Sequence, residues 1–122
     1  MQYPLYPNFR LRDFCFHHSG SQVEGSMLTE EQLLLMVYRN GPSVVAINTN
    51  TNPKFPYFRG TRWTEHCDSD RYDHAVLLLG WTEDELILQN SWGDWFGTGG
   101  FFRLPRGQNK CGVQHMIGSV IL

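Results

Sequence analysis

Two residues of the chain have the types and the placement to make a catalytic base. His74 opens one apolar run, "HAVLLLG" (74–80), and Asn90 closes the next, "ELILQN" (85–90). The polar "WTED" between the runs suits a short hairpin connection. Antiparallel pairing of runs joined in this way puts the first residue of one beside the last residue of the other, so His74 and Asn90 come to the same end of the sheet. An imidazole whose N–H is held by an amide oxygen keeps one tautomer and one orientation, and its other nitrogen stays free to take or give a proton. Trp92 follows two residues after Asn90 in "QNSWGDWFGTGG" (89–100). There it is placed to keep water off that hydrogen bond and strengthen it in a lower local dielectric. Strand logic alone leaves a second reading open, a structural histidine at a strand edge.

The elements that must position this pair are legible in outline. Thr29 with Gln32 at the third helical position makes a capping box ahead of "EEQLLLMVYR", whose acids suit the N-terminal end of a helix. Gly41-Pro42 stops that helix, and Leu33, Leu34 and Val37 share the face that belongs on the core. Five strand-like runs follow: 43–48, 74–80, 85–90, 100–105 and 117–122. One helix and five such strands read as α+β, an antiparallel β-barrel-like domain with one packed helix. Residues 1–27 read as an irregular N-terminal segment, with Pro4 and Pro7 opposing helix, and 28–122 as the β domain. Residues 49–73 read as a long, aromatic-rich loop, of the length that usually carries function.

Composition narrows the partners. A chain of 122 residues makes one domain, and a formal net charge of −2 with no basic stripe argues against a nucleic-acid partner. No apolar run reaches the roughly 18 residues that span a bilayer, and no membrane partner is expected. The N-terminus lacks the apolar stretch of a secretory signal. Three cysteines, Cys15, Cys67 and Cys111, leave one unpaired or paired to another chain. "CFHH" and "EHC" offer thiolate and imidazole, but neither has the spacing of a structural zinc site, so no metal and no cofactor are expected.

"DHAVLLLGW", "LILQNSWGDWFGTGGFFRLPRG" and "NKCGV", preceded by "LLLMVYRNGPSVVAIN", resemble in order and interval the C-terminal half of papain-family cysteine proteases, the cathepsins among them. The resemblance covers roughly residues 28 to 122 and implies the right-hand, β-barrel domain of that two-domain fold. It implies that His74 is the catalytic histidine, Asn90 the asparagine that orients it, and Trp92 the tryptophan that covers the pair. It places Ala46, Ala75 and Met116, with Tyr72 at the edge, in the pocket that selects the second residue before the cleaved bond. The peptide substrate is then expected to carry an apolar side chain there. It pairs Cys67 with Cys111 in a disulfide, which suits an oxidising, lysosomal or secreted setting. Three positions depart from the family pattern: Phe96 stands for its second tryptophan, Trp95 for a glycine and Phe101 for its usual tyrosine.

The family's chemistry also needs a thiolate to attack the peptide carbonyl while the histidine protonates the leaving amine. Its nucleophile lies in a C-G-[SA]-C-[WY] signature roughly 130 to 150 residues before the histidine, and 73 residues precede His74. Cys15, in "RDFCFHHSG", lacks the neighbouring residues of that signature. "YPLYPNFRLRDFC" instead loosely resembles the region where relatives bridge a cysteine to the left-hand domain. Three readings follow. In the first, the chain is the histidine- and asparagine-bearing half of a cysteine endopeptidase, inactive alone and active with a nucleophile-bearing left-hand partner, with Cys15 either free or disulfide-linked to that partner. In the second it is a catalytically inactive pseudoenzyme, a papain-like structural or binding module. In the third, loop 49–73 binds sugar or peptide through Trp63 and Tyr57, and His74 is structural.

Overall fold

A computed structural model of the chain describes residues 13–18 and 28–121, the side chains of 13–18, 120 and 121 excepted. The one α-helix among the described residues, α1 (Glu30–Asn40), begins as its sequence dictates. Thr29 Oγ1 accepts from the Gln32 N–H at 3.1 Å, and Gln32 Oε1 accepts from the Thr29 N–H at 2.8 Å. The two bonds satisfy backbone donors that the first turn leaves open. Gly41 ends the helix with φ +83°, a conformation that favours glycine, and its N–H reaches the Val37 carbonyl at 2.8 Å. Leu33, Leu34 and Val37 are buried against the sheet. Each contributes about 1.5–3 kcal/mol by leaving water.

Six antiparallel strands make the sheet: β1 (Asp13–His18), β2 (Ser43–Ile47), β3 (His74–Trp81), β4 (Glu85–Gln89), β5 (Phe101–Pro105) and β6 (Met116–Ile121). Their order is β1-β6-β2-β3-β4-β5. The five strands expected from the sequence are present within one or two residues of their predicted bounds. The sixth corrects the expectation that residues 1–27 are irregular. β1 lies along β6 from Asp13 opposite Ile121 to His18 opposite Met116. "DFCFHH" has no period-2 pattern of its own, and it is the free edge of β6 that gives its backbone partners.

The core lies between α1 and one face of the sheet, and extends under the long loop. Leu78, Leu86, Leu88, Phe102 and Leu104 point into it from β3, β4 and β5. Loop 49–73 supplies two of its largest side chains, Phe55 and Trp63, both fully buried. This corrects the expectation of Trp63 as an exposed binding contact: at 1% exposure no ligand reaches its face. After Phe55, in a 3-10 turn over Phe55–Tyr57, the loop runs beside β5. There Trp63 N–H bonds the Arg103 carbonyl at 2.9 Å and Arg103 N–H the Thr61 carbonyl at 2.7 Å. The loop thereby covers the outer edge of β5. Cys67 and Cys111 form the disulfide that the resemblance implies, with 1.99 Å between the sulfurs, tying the end of the loop to the turn before β6.

Candidate active site

His74 is the first residue of β3, and Asn90 follows the last residue of β4. Their contact depends on register. Near the turn Trp81 faces Leu86 and Gly80 faces Ile87, while beyond an irregularity between Leu78 and Gly80 the pairs are Leu78 with Leu88 and Leu77 with Gln89. Without that shift the pairing from the Trp81 end would set Asn90 opposite Leu77, and His74, three residues earlier in β3, would point to the other side of the sheet. The extra residue, in β3, sets Val76 opposite Asn90 instead, and His74 then shares the inner face on which Leu86, Leu88 and Asn90 lie, because side chains alternate with period two.

His74 Nε2 lies 2.8 Å from Asn90 Oδ1. Ser91 N–H bonds the same oxygen at 2.7 Å. A backbone N–H only donates, so this second bond fixes which end of the amide faces the ring. Asn90 therefore accepts from an Nε2–H, and Nδ1 carries the lone pair. Among the described residues no hydrogen bond engages Nδ1. The imidazole is half-buried and Asn90 is buried, with its Nδ2 lacking a hydrogen-bond partner among the described residues.

Trp92 stacks on the His74 ring, 4.6 Å between centroids and 30° between planes. Phe55 and Phe96 meet Trp92 edge-on at 5.9 and 5.3 Å. The indole is thus braced from the core and cannot swing off the imidazole without opening that cluster. Phe55, which also touches Trp63, Phe96 and Phe102, was not singled out from sequence. Its only signal was its place in an aromatic-rich loop. Asp73 was also passed over, although it stands directly before the histidine. Its carboxylate accepts from Thr49 N–H at 2.9 Å, Thr49 Oγ1 at 3.1 Å and Asn50 N–H at 3.1 Å. Its own N–H bonds the Ile47 carbonyl at 3.0 Å, so the backbone entering His74 is clamped from both sides.

The residues expected to line a substrate pocket fall into one row. Ala46 faces Ala75 across β2 and β3, and Met116 precedes the Ile117 that faces Val45. Antiparallel counting brings Met116 to the level of Ala46. Ala46 is buried, Met116 half-buried and Ala75 exposed. Tyr72, exposed, stands off the strand with its ring 5.3 Å from that of His115. Beside Asn90 the outer face of the sheet has a hollow of about 470 Å³, lined by Val44, Ala75, Leu77, Gln89 and Ser91 among others. Cys15 lies on β1, opposite Ser119 in backbone register, and its expected bond to a partner falls on a side chain outside the described part. Among the described residues no group of three or more His, Cys, Asp or Glu side chains is arranged to hold a metal, and no helix is long and apolar enough to cross a membrane.

Comparison with known proteins agrees with this fold. The profile of the papain family cysteine proteases matches residues 14–121. A cathepsin L-like protein of Caenorhabditis elegans is 38% identical over 90 residues, 69% of this chain and 27% of its own length. Cysteine proteinase 15A of Pisum sativum is 34% identical over 104 residues, 76% of this chain and 28% of its own length. Among solved structures, procathepsin L2 of Tenebrio molitor superposes with a TM-score of 0.70 at 28% identity, covering 94% of this chain and 35% of that one. The Carica candamarcensis cysteine protease bound to E-64 gives 0.70 at 25%, covering 86% and 47%. The chain spans about 28% of the length of the curated relatives it matches. With the family profile matching most of its residues, the chain belongs to the papain family of cysteine proteases.

Proposed function

We propose that the chain is the histidine- and asparagine-bearing half of a papain-like cysteine endopeptidase, which hydrolyses peptide bonds together with a nucleophile-bearing partner segment. The observation that carries this is the His74–Asn90 bond under Trp92, which leaves Nδ1 as the one imidazole nitrogen free to meet a thiol. In this proposal Nδ1 takes the proton of the partner's cysteine, giving a thiolate–imidazolium pair. The thiolate adds to the peptide carbonyl, and the imidazolium returns its proton to the leaving amine. Water then attacks the acyl-enzyme, with His74 as base, and releases the thiol. Asn90 holds the ring in one tautomer through both steps. Ala46, Ala75, Met116 and Tyr72 receive the apolar side chain two residues before the cleaved bond.

The outer face supports a docking partner. Val44 and Phe101 stand 39% and 40% exposed, with Ala75 and Leu77 between them, next to the hollow that reaches Asn90. Asn90 Nδ2, without a hydrogen-bond partner among the described residues, is a buried donor of the kind that costs about 1–3 kcal/mol until an acceptor arrives. A lysosomal or secreted setting is proposed with this function, in keeping with the Cys67–Cys111 disulfide.

The test begins with native material on non-reducing and reducing gels, followed by labelling with a thiol-directed protease probe. Label on a second segment, with hydrolysis that disappears in His74→Ala, supports the half-enzyme. A native assembly that neither takes label nor cleaves a peptidyl amide removes it and leaves the pseudoenzyme, a papain-like binding or structural module.

A further inference from the structure

The stack over His74 continues outward past Trp92. Trp95 lies parallel to Trp92, 6.5 Å between centroids and 7° between planes. The Arg59 guanidinium carbon stands 4.8 Å from the Trp95 ring centroid. Both residues face solvent, Trp95 at 45% exposure. By the resemblance noted above, Trp95 stands in the place of a glycine in the family pattern.

The shelf is held from two sides. The turn carrying Trp95 and the loop carrying Arg59 are laced together by Gly97 N–H to the Phe58 carbonyl at 2.9 Å and by Thr98 Oγ1 to the Gly60 carbonyl at 3.2 Å. A third bond, 2.9 Å, joins the Thr61 and Thr98 hydroxyls. Gly97 lets the turn fold back tightly onto β5: its φ is +58°, and a Cβ there would stand 2.3 Å from the Phe101 carbonyl oxygen. Arg59 gives one N–H to the Phe58 carbonyl at 3.3 Å. Among the described residues it has no carboxylate partner, whereas Arg62, Arg71, Arg103 and Arg106 each have one. A guanidinium laid over an indole loses little further freedom on binding, and its remaining donors form a planar fork that fits a carboxylate.

We propose that Arg59 and Trp95 form a subsite for an acidic side chain of the peptide on the leaving-group side of the cleaved bond. The assignment of side rests on the proposed function. Ala46, Ala75 and Met116 would take residues before the bond, and the Trp92–Trp95 stack leaves His74 by way of the other strand pair. Ring steps of 4.6 and 6.5 Å and a further 4.8 Å to the cation put Arg59 no more than about five extended residues from His74, within reach of the fourth residue after the bond.

The full chain is titrated with capped pentapeptides that differ only in the fourth residue, Glu, Gln or Lys, with binding read from the tryptophan indole N–H resonances; the Trp95 resonance is assigned with Trp95→Phe. The Glu peptide is expected to bind about fivefold more tightly than the Gln peptide and the Lys peptide most weakly. The gap should close in Arg59→Gln, narrow in Arg59→Lys and in Trp95→Gly, and persist in Arg71→Gln. Equal affinity for the Glu and Gln peptides, binding of none of them, or a gap that survives Arg59→Gln overturns the subsite. Hydrolysis is not read, so the two proposals fail separately. A native assembly that never cleaves removes the enzyme while this binding stands, and cleavage with no acidic preference in the titration removes the subsite alone.

Discussion

The two faces of the sheet are made by alternate residues of the same strands, and they end in opposite states. On the inner face Leu78, Leu88 and Phe102 are dry, packed with Phe55, Phe96 and Trp63 into one aromatic-centred cluster. On the outer face Val44, Ala75, Leu77 and Phe101 form an apolar patch that stays partly open to solvent, beside the polar Gln89 and the Glu85–Arg103 ion pair. The period of the strands explains where each side chain points, but not why the outer face carries an open apolar patch. In antiparallel sheets one face is usually polar. The patch fits a domain with another body to bury it, and His74 and Asn90 sit where the two faces meet at the strand ends. The inner face fixes the geometry of the pair, and the outer face is where the rest of a catalytic site would be added.

That division can be broken most directly at the site. In the native assembly, His74→Ala should lower peptide hydrolysis by about 10²–10⁴ with unchanged circular dichroism, as loss of a general base does. Activity within tenfold of the parent would show that His74 is packing and not chemistry. Next in size is the inner face: Phe55→Ala should cost about 3–5 kcal/mol in urea unfolding of the chain, through the cavity left among Trp63, Trp92, Phe96 and Phe102. The His74 ring resonances should shift in the same variant, because Trp92 loses its brace.

Replacing both Cys67 and Cys111 by serine should lower stability by about 2–5 kcal/mol, since the bridge closes a chain separation of 44 residues. A melting temperature unmoved by the double change would mean that hydrogen bonds alone hold the loop to β5. The smallest effect on stability belongs to the outer face. Val44→Ser and Phe101→Ser should each change the stability of the chain by no more than about 0.5 kcal/mol. The same changes should weaken association with the partner segment by tenfold or more if the face is a docking surface. If they destabilise the chain as much as Phe55→Ala does, the two faces do not differ in the way described.

Most of the elements, and the residues of the site, could be read from local pattern. The capping box at Thr29 and Gln32, the stop at Gly41-Pro42 and the hairpin over "WTED" are short-range chemistry, and each formed where its residues stand. The order of "DHAV", "NSWG" and "CGV" carried His74, Asn90, Trp92 and Cys111, and the resemblance paired Cys111 with Cys67. β1 was not legible, because its pairing is supplied by β6, about a hundred residues away in the chain. The loop 49–73 misled for a related reason. Aromatic residues in an irregular segment look like exposed contacts until a tertiary surface takes them in, as β5 and the core do with Phe55 and Trp63.

The sequence by itself determined which groups are available: an imidazole, an amide, an indole and two cysteines, on segments whose periodicity makes them strands. Only the tertiary structure decided that the imidazole and the amide meet. A one-residue irregularity between Leu78 and Gly80 turns the start of β3, His74 included, to the inner face that Asn90 shares with Leu86 and Leu88. Pairing register is set by the contacts of whole strands, and a shift of one residue inverts every side chain beyond it.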